Sequence, residues 1–386
     1  MKILHLLPSL ALGGGPQHVL TLAKGLRALG IESYVIGPDG PMVEQFLAAK
    51  DGHAHGLRSP MLASLATVRV AVRGLGIDLI HVHGKSPSLL APFLGRPVVR
   101  TFHGLHYEQY GAVKRRLYFA LERFLARHTA AIIHLTDAQH AEALEIGLPG
   151  GHVIPNGIDV EGIDRAALPR ASARAVLDLP PHAYVLGTIA RLDPVKKIER
   201  LIAALTHLPD AHLAVIGDGT EREGLEAMTA SRGLGDRVHF VGARAHAATY
   251  LRAFDVFVSA SVREGMPLAL LEAMAVGLPA LVSDIPAHMV VLGRGAQVVA
   301  AEPTGQTLAA AVRWLRLNPH LTALLKARNR RTVEAFDAAR MVEATAAVYR
   351  EVTMRPYEDS MVLTQCRPAS LARRDGQVIA RGRTPR

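Results

Sequence analysis

Cysteine is almost absent from this 386-residue sequence, acidic residues are outnumbered by basic ones, and long hydrophobic runs are missing. The single cysteine, Cys366, excludes an internal disulfide and any metal cluster held by several thiolates. A reducing cytoplasm is therefore the expected compartment. Hydrophobic residues nevertheless make up 49% of the chain, enough at this length for two domains and a large core.

No apolar run in the sequence is long enough to span a membrane. The start of the chain, MKILHLLPSLALGGG, imitates a signal peptide through Lys2 and a short apolar stretch. However, His5 and Pro8 interrupt that stretch, and a glycine turn leading into a helical pattern follows at once. The pattern favours the first strand of a buried sheet over a cleaved leader.

The charge of the chain is strongly positive. Lysine and arginine total 44 against 34 aspartates and glutamates, so that the formal net charge is +10. This excess favours phosphate-bearing ligands or an anionic lipid surface over acid-rich partners. The sign of the charge does not choose between these two, and no nucleic-acid partner is expected.

Short apolar runs alternate with helical patterns, from KILHLL to AAIIHLT and again from YVLGTIA to ALVSD. This alternation is typical of βαβ units, so the sequence predicts an α/β protein with two doubly wound, Rossmann-like domains. The predicted organisation is an N-terminal domain at 1–157, a connector at 158–182, a C-terminal domain at 183–337, a closing helix at 338–353 and a basic tail at 354–386, for which disorder is expected.

Two glutamates, Glu264 and Glu272, lie on either side of a predicted helix start in REGMPLALLEAMAVG. Glu264 follows the strand pattern VFVSAS, and ligands of open α/β sheets bind beyond the carboxyl ends of strands. Pro267 suits the first turn of the helix, where its missing N–H is no loss. A nucleotide sugar with its phosphates at the helix start could offer hydroxyls to both carboxylates. By spacing alone, a helix-capping Glu264 and a solvated Glu272 explain the pattern equally well.

Cations follow the first strand pattern of the second half of the chain. Arg191 and Lys196, with Lys197 beside them, lie in the loop after YVLGTIA. Cations at that place can clamp a diphosphate and stabilise it as a leaving group. A solvated loop is the alternative interpretation.

In the first half of the chain, glycines and a histidine follow predicted strands. Gly13, Gly14 and Gly15 separate the first strand from its helix, so that backbone can approach a phosphate or sugar there. They do not form the dinucleotide fingerprint, because His18 stands where a third spaced glycine belongs. His103 follows another strand and can bond a sugar hydroxyl, although a structural histidine is equally well supported.

Two further patterns have a functional and a structural interpretation. His81 and His83 share one face of a strand, which invites a metal site, but no third ligand is evident and no metal is predicted. Residues 113–128 interleave basic and apolar side chains, as in a helix that lies on an anionic membrane. Packing of that helix against its own domain is the favoured alternative.

Taken together, these stretches resemble glycosyltransferase family 4, the retaining enzymes of the two-Rossmann GT-B architecture. The resemblance covers nearly all of residues 1–353. Its motifs are weak one by one but specific in their order and spacing. They are the glycine loop with HVLTLAKGL, TFHG, IPNGID, ARLDPVKK, VIGDG and the two glutamates of EGMPLALLE.

The resemblance implies a nucleotide-sugar donor held mainly by the C-terminal domain, with Arg191 and Lys196 neutralising its diphosphate. Glu264 and the following backbone would hold the sugar, Glu272 the ribose, and His103 would reach the sugar from the other domain. The catalytic residues implied are Glu264, His103, Arg191 and Lys196. The donor-binding residues implied are Gly14, Gly15, Arg191, Lys196, Glu264, Gly265, Met266, Pro267, Leu268 and Glu272. Members of the family retain the anomeric configuration and need neither a metal nor another cofactor.

The chain departs from the family pattern at three places. Ala190 precedes Arg191 where the usual loop has glycine, Lys197 replaces the glycine that ends the loop, and Met266 replaces a common aromatic residue. The first change should be tolerated, while Lys197 is expected to alter the loop or to add a phosphate contact.

The expected function is transfer of a sugar from a UDP-, GDP- or ADP-linked donor to a glycan, a lipid-linked or another acceptor in polysaccharide or glycoconjugate biosynthesis. The expected location is the cytoplasm. The basic helix at 113–128 also allows peripheral association with the inner face of the cytoplasmic membrane. The alternatives are a catalytically impaired nucleotide-sugar binding subunit and a sugar-nucleotide epimerase of the same fold. An NAD oxidoreductase would need the full glycine fingerprint.

Overall fold

The computed structural model describes residues 1–48, 53–57, 64–102, 110–295 and 297–354. These residues form two α/β domains, each built on a parallel sheet, as the alternation in the sequence predicts. Residues 355–386, which hold nearly all of the basic tail, lie outside the described part, so the expected disorder there stays a prediction.

The N-terminal domain is built on a sheet of seven parallel strands. The strands are β1 (Lys2–Leu6), β2 (Glu32–Pro38), β3 (His53–Leu57), β4 (Leu79–His83), β5 (Val98–Phe102), β6 (Ala131–His134) and β7 (His152–Val153). Their order is β3-β2-β1-β4-β5-β6-β7. Every residue of β4 and β5 is buried, because helices cover both faces of a parallel sheet. Residues Lys2–Leu6 thus form a strand of a buried sheet, as predicted, and the strand order places this strand inside the sheet, between β2 and β4.

Helices cover both faces of this sheet. They are α1 (Gly14–Ala28), α2 (Met42–Ala48), α3 (Leu65–Gly74), α4 (Lys85–Ser88), α5 (Ala112–Ala126) and α6 (Asp137–Glu145). Right-handed crossovers put α1 and α2 on one face and α3 to α6 on the other, because the chain adds strands in opposite directions from β1. The core accordingly has one apolar cluster beneath α1 and a separate one beneath α3.

The C-terminal domain has five parallel strands. They are β8 (Tyr184–Ile189), β9 (Ala211–Ile216), β10 (Val238–Gly242), β11 (Val256–Ser259) and β12 (Ala280–Val282), in the order β10-β9-β8-β11-β12. The helices of this domain are α9 (Ile198–Leu205), α10 (Arg222–Ser231), α11 (Leu268–Ala275), α12 (Pro286–Leu292), α13 (Gly305–Leu317) and α14 (Pro319–Val333). A connector with α7 (Val160–Ala166) and α8 (Arg170–Val176) precedes β8.

The last helix, α15 (Ala338–Met354), returns to the N-terminal domain. Met341, Val342 and Tyr349 of α15 are buried in one cluster with Leu22 of α1 and Val99 of β5. The chain therefore crosses between the domains twice. The two crossings run side by side, because Ile158 N–H bonds Phe336 O and Ala338 N–H bonds Ile158 O, each at 2.9 Å.

Strand order determines where a ligand can bind. The order changes direction between β1 and β4 in the first sheet and between β8 and β11 in the second. A crevice opens at the carboxyl ends of the strands at such a point. None of the described helices combines the length and hydropathy required to cross a bilayer.

A buried arginine, Arg174 of α8, ties the connector to the second domain. Its guanidinium is almost fully buried and donates to Asp255 Oδ2 at 2.9 Å. The same group donates to the backbone carbonyls of Pro180, Pro181, Ala183 and Ala253 at 2.8–2.9 Å. It thereby provides a donor to carbonyls of the segments that precede β8 and β11.

We expect Arg174→Met to destabilise the protein by about 3–5 kcal/mol, because the change leaves several buried carbonyls without the guanidinium donor. It also removes one of the donors to Asp255, which keeps Arg170 and the N–H of Val185. Urea unfolding of the variant and the parent measures the difference. Arg165→Met is the matched control, since Arg165 and Glu161 form an exposed pair whose side chains are 78% and 88% accessible. The control should cost less than about 0.5 kcal/mol, and an equal cost for both would contradict the role of Arg174.

Candidate active site

A cleft of about 1230 Å³ lies between the domains, at the carboxyl ends of both sheets. The N-terminal domain lines it with the loop after β1 and one face of α1. The C-terminal domain lines it with the loops after β8, β9, β10 and β11. The predicted site residues that line this cleft are Gly14, Arg191, Lys196, Glu264, Met266, Pro267, Leu268 and Glu272.

An ion pair between Lys196 and Glu264 occupies the switch point of the second sheet. Lys196 ends a short 3₁₀ turn after β8, and its Nζ lies 2.7 Å from each carboxylate oxygen of Glu264, beyond β11. Ser261 Oγ donates to Glu264 Oε1 at 2.7 Å. Both charged side chains are largely buried, at 19% and 13% exposure. The cation and the acid predicted separately are thus joined in one group.

Arg191 lies on the same loop but in a more open place. Its guanidinium is 68% exposed and pairs with Asp193 Oδ2 at 2.6 Å. The loop is held close to the end of β9 by Gly217, whose φ of +148° and close approach to Ala190 leave no space for a side chain. A Cβ on Gly217 would lie 1.8 Å from Ala190 O. Gly217, the first glycine of VIGDG, therefore fixes the shape of the loop that carries Arg191 and Lys196.

Lys197, at the place of the family's glycine, adopts a left-handed backbone conformation with φ 53° and ψ 42°. That conformation is easy for glycine and strained for lysine. The loop thus keeps the shape that glycine would give it. The Nζ of Lys197 lies 3.5 Å from Glu199 Oε1.

Glu272 is half-buried in α11 and lines the cleft. In the described part of the chain, its carboxylate has no hydrogen-bond or ion-pair partner. Burial raises the pKa of Glu272 to about 7, because the charged form loses water without gaining a donor. A group that donates hydroxyls to this carboxylate would relieve that cost.

The helix start between these acids differs slightly from the prediction. α11 begins at Leu268, so that Pro267 is the residue before the helix and not in its first turn. Gly265 does not line the cleft, and its carbonyl accepts from Gln139 Nε2 at 2.9 Å. Met266 is buried and its Sδ lies 3.2 Å from Asn156 N.

The glycine loop of the N-terminal domain faces this helix start across the cleft. Gly13 and Gly14 line the cleft, whereas Gly15, already inside α1, does not. A Cβ on Gly14 would lie 3.6 Å from Leu268 Cδ1. A side chain at position 14 would therefore come into van der Waals contact with the first residue of α11. His103 lies outside the described residues, so its predicted role stays a prediction.

Other polar residues of the cleft were missed by sequence reasoning. Ser261 lies three residues before Glu264, and its place just beyond a strand was the available signal. His288 is buried at the edge of the cleft. Its Nδ1 donates to Ser283 O at 2.8 Å, and burial lowers the pKa of His288.

A histidine cluster in the first sheet has the composition of a metal site. The sequence supplied His81 and His83, and register pairs His81 with His5 of β1, the third residue that sequence reasoning did not find. One ring nitrogen from each lies within 4.8 Å of the others. However, His81 already bonds Tyr349 Oη at 2.6 Å and Thr101 Oγ1 at 2.7 Å. No carboxylate belongs to the cluster to offset a metal's charge, and the absence of a metal stays a prediction.

Two family models match the chain, one for each half of it. Residues 12–161 match the model described as Glycosyltransferase Family 4, and residues 169–332 match the model described as Glycosyl transferases group 1. The second stretch contains Arg191, Lys196, Glu264 and Glu272, and the first contains Gly14 and Gly15.

Individual relatives agree with the family models. The chain is 32% identical over 231 residues to the UDP-Gal:alpha-D-GlcNAc-diphosphoundecaprenol alpha-1,3-galactosyltransferase of Escherichia coli, a match to 54% of this chain and 58% of that protein. It is 28% identical to the lipopolysaccharide core biosynthesis mannosyltransferase LpsB of Rhizobium meliloti, over 88% of this chain and 95% of LpsB.

Solved structures share the fold. Anabaena Alr3699/HepE in complex with UDP-glucose superposes with a TM-score of 0.78 at 21% identity, over 91% of this chain and 100% of HepE. Sucrose-phosphate synthase of Thermosynechococcus elongatus gives a TM-score of 0.75 at 21% identity, over 92% and 100% of the two chains. With both halves matched by family models and the two-domain architecture in common, the chain belongs to the glycosyltransferases of the group 1 and family 4 type, enzymes with the GT-B fold.

Proposed function

We propose that this glycosyltransferase moves a sugar, with retention of its anomeric configuration, from a nucleotide-sugar donor to a glycan or lipid-linked acceptor. The observation that carries the proposal is the meeting of Arg191, Lys196, Glu264 and Glu272 in one cleft between the domains. A diphosphate requires cations, which Arg191 and Lys196 supply. A sugar and a ribose require acceptors for their hydroxyls, which the paired Glu264 and the unpartnered Glu272 supply.

The leaving diphosphate is the part of the donor that needs most stabilisation. Charge develops on it as the bond to the sugar breaks, and cations fixed beforehand lower the energy of that state. Lys196 uses two of its three N–H groups on Glu264 and keeps one for a phosphate oxygen. Arg191 reaches the same phosphates once it leaves Asp193, on a loop whose shape glycines fix.

The two glutamates bind the donor sugar and the ribose. Glu264 is an orienting acid in this proposal, because Lys196 and Ser261 already hold it and leave acceptor capacity on Oε2. Glu272 accepts the ribose hydroxyls, which supply the donors that its buried carboxylate lacks. The backbone of Met266 and Leu268, which line the cleft, lies beside the sugar, and Gly265 precedes them in the same loop. The sugar contact predicted for His103 is kept in this proposal, although His103 lies outside the described residues.

The names of relatives favour a uridine donor and a lipid-linked acceptor. A relative is named for UDP-Gal and a diphosphoundecaprenol acceptor, and HepE is described with UDP and with UDP-glucose. Others are named for lipopolysaccharide core or O-antigen biosynthesis. We therefore place the reaction in the assembly of a cell-surface polysaccharide or lipopolysaccharide.

The exposed side of helix α5 supports binding of the protein to a membrane surface. It packs inward through Tyr118 and Glu122, and the buried carboxylate of Glu122 pairs with Arg100 of β5 at 2.7 Å. At 100° per residue, Val113, Leu117 and Phe124 form one outward stripe about 40° wide, and these side chains are 74%, 68% and 46% exposed. The exposed basic residues Lys114, Arg115, Arg116, Arg123 and Arg127 accompany this stripe. An apolar stripe with cations is the pattern of a helix on an anionic lipid surface.

We expect a UDP-sugar, among a panel of UDP-, GDP- and ADP-sugars, to raise the midpoint of thermal unfolding of the parent protein. Lys196→Met should abolish most of that shift and lower kcat/KM about 100-fold, because it removes one charged donor to the leaving group. Lys326→Met, at an exposed lysine of α14, is the matched control and should leave both quantities unchanged.

The same panel separates the proposal from its alternatives. A subunit without catalysis would bind a nucleotide sugar but release no nucleoside diphosphate with any acceptor. An epimerase would convert the sugar of the donor without an acceptor. The absence of any thermal shift in the parent protein would contradict donor binding itself.

Donor affinity should fall as the pH is lowered through about 7, the pKa of Glu272. Only the ionised carboxylate accepts two ribose hydroxyls, and burial has raised its pKa, so protonation begins near neutral pH. With binding restricted to the ionised form, the Kd of the donor should be about 10-fold higher at pH 6 than at pH 8. Calorimetric titration at a series of pH values measures this, and Glu272→Gln should bind weakly with little dependence on pH. A parent protein with constant Kd over this range would rule out the role of Glu272.

Vesicle flotation tests the membrane surface of α5. The parent protein should float with vesicles that contain anionic phosphatidylglycerol and not with neutral phosphatidylcholine. Combining Arg116→Glu with Arg127→Glu should weaken binding roughly 30-fold or more, since each basic residue contributes about 1 kcal/mol. Combining Lys326→Glu with Arg331→Glu, both on exposed positions of α14, is the control with the same change of charge. Equal loss in both pairs would mean that net charge alone is responsible.

A further inference from the structure

One glutamine of the N-terminal domain reaches into the donor loop of the other domain. Gln139 lies in the first turn of α6, just beyond the carboxyl end of β6, and is 8% exposed. Its Nε2 donates to Gly265 O at 2.9 Å, and its Oε1 accepts from Leu135 N at 3.1 Å. The bond to Gly265 joins residues 126 positions apart, across the boundary between the domains.

The orientation of the Gln139 amide is determined by its two partners. Leu135 N–H can only donate, so it requires the amide oxygen, and Gly265 O can only accept, so it requires the amide nitrogen. The reverse orientation would lose both bonds. Thr136 caps the same helix and accepts from Gln139 N at 3.2 Å, which fixes the backbone that carries the side chain. The amide oxygen, the amide nitrogen and the backbone of Gln139 are thus each fixed by a hydrogen bond.

The partner of Gln139 is a peptide group in the middle of the donor loop. The bond between Gly265 and Met266 is trans, so the N–H of Met266 points away from the Gly265 carbonyl. A donor that fixes the carbonyl therefore also fixes the direction of the Met266 N–H. Glycine at 265 leaves this peptide free to rotate, and Gln139 removes that freedom. The peptide lies between Glu264 and the first residue of α11.

A second contact from the same domain supports the loop next to this peptide. The N–H of Asn156 points to Met266 Sδ at 3.2 Å, and Leu135 is buried in one cluster with Met266 and Leu268. Residues just past the ends of β6 and β7 therefore pack around the loop. Through these contacts, the position of the N-terminal domain determines the position of the loop.

We propose that Gln139 is a positioning residue for sugar transfer, which sets the Gly265–Met266 peptide and the adjacent Glu264 in the geometry that binds the donor sugar. The inference rests on the proposed function, because the loop is assigned there to the sugar. Gln139 touches neither donor nor acceptor and acts through the loop. A relative movement of the domains that lengthens the 2.9 Å bond beyond about 3.5 Å breaks it, so the loop is in this geometry only for one arrangement of the domains.

Gln139→Met keeps the length of the side chain and removes both polar atoms. We expect kcat/KM for UDP-glucose to fall about 10- to 100-fold, as for other misplacements near 1 Å, while the Kd for UDP changes less than about 3-fold. The sugar end of the donor depends on the loop, whereas the diphosphate is held by Arg191 and Lys196. GDP-mannose and GDP are the probes if the thermal-shift panel selects guanosine.

Gln139→Glu provides a readout that a purely structural role would not change. Its ionised carboxylate can still accept from Leu135 but repels Gly265 O, and its protonated form can donate again. The ratio of its kcat/KM to that of the parent protein should therefore rise as the pH is lowered from 8 to 6. Taking the ratio at each pH removes the effect of Glu272. The Met variant should show no such rise.

Gln297→Met is the matched control. Gln297 is also a buried glutamine, and it accepts from Ala280 N and donates to Asn329 Oδ1, each at 2.8 Å, within the C-terminal domain. Its loss should lower Tm by at least as much as Gln139→Met and leave kcat/KM within about 3-fold. The inference is overturned if Gln297→Met reproduces the catalytic loss, if UDP affinity falls with kcat/KM in Gln139→Met, or if Gln139→Met retains the parental kcat/KM. A parent protein that binds none of UDP, GDP and ADP would instead overturn the proposed function, and this inference with it.

Discussion

Two parallel sheets present their carboxyl ends to one cleft, and this constraint places every functional group discussed above. Parallel strands all end at the same edge, so loops from distant parts of the chain meet there. Lys196 after β8 and Glu264 after β11 become neighbours because β8 and β11 are adjacent strands. The sheet supplies rigidity, and the loops supply charge. Small differences in loop sequence can then change the donor without disturbing the core.

Three of the four charged residues predicted for the site are paired before any ligand arrives. Lys196 is paired with Glu264 and Arg191 with Asp193, whereas Glu272 has no partner in the described part of the chain. Partly buried ions cost several kcal/mol of desolvation each unless they are paired. A donor bound as proposed would therefore exchange partners with the two cations and supply partners to one acid. Such exchange favours a ligand that brings negative phosphates and hydroxyl donors together.

Local patterns were sufficient to predict the two domains, the first strand β1 and the loops that carry the charged residues. The strands are short apolar runs, and the glycine and proline positions mark their ends, so no distant information was required. Contacts between residues distant in the sequence could not be predicted in this way. Nothing near Gln139 in the sequence indicates Gly265, and nothing near His81 indicates His5, because both contacts depend on the order of strands and the packing of domains. The left-handed backbone conformation of Lys197 could not be predicted either, because a lysine gives no local indication of it.

The return of α15 to the first domain has a consequence for how the chain is made. Leu22 and Val99 are covered by Met341, Val342 and Tyr349, which leave the ribosome after the whole second domain. The domain that is synthesised first is therefore completed last, and its apolar surface is exposed throughout translation of the remainder. Shortening the polypeptide before Val352 would remove part of a core that includes Leu22 and Val99, which lie more than two hundred positions earlier.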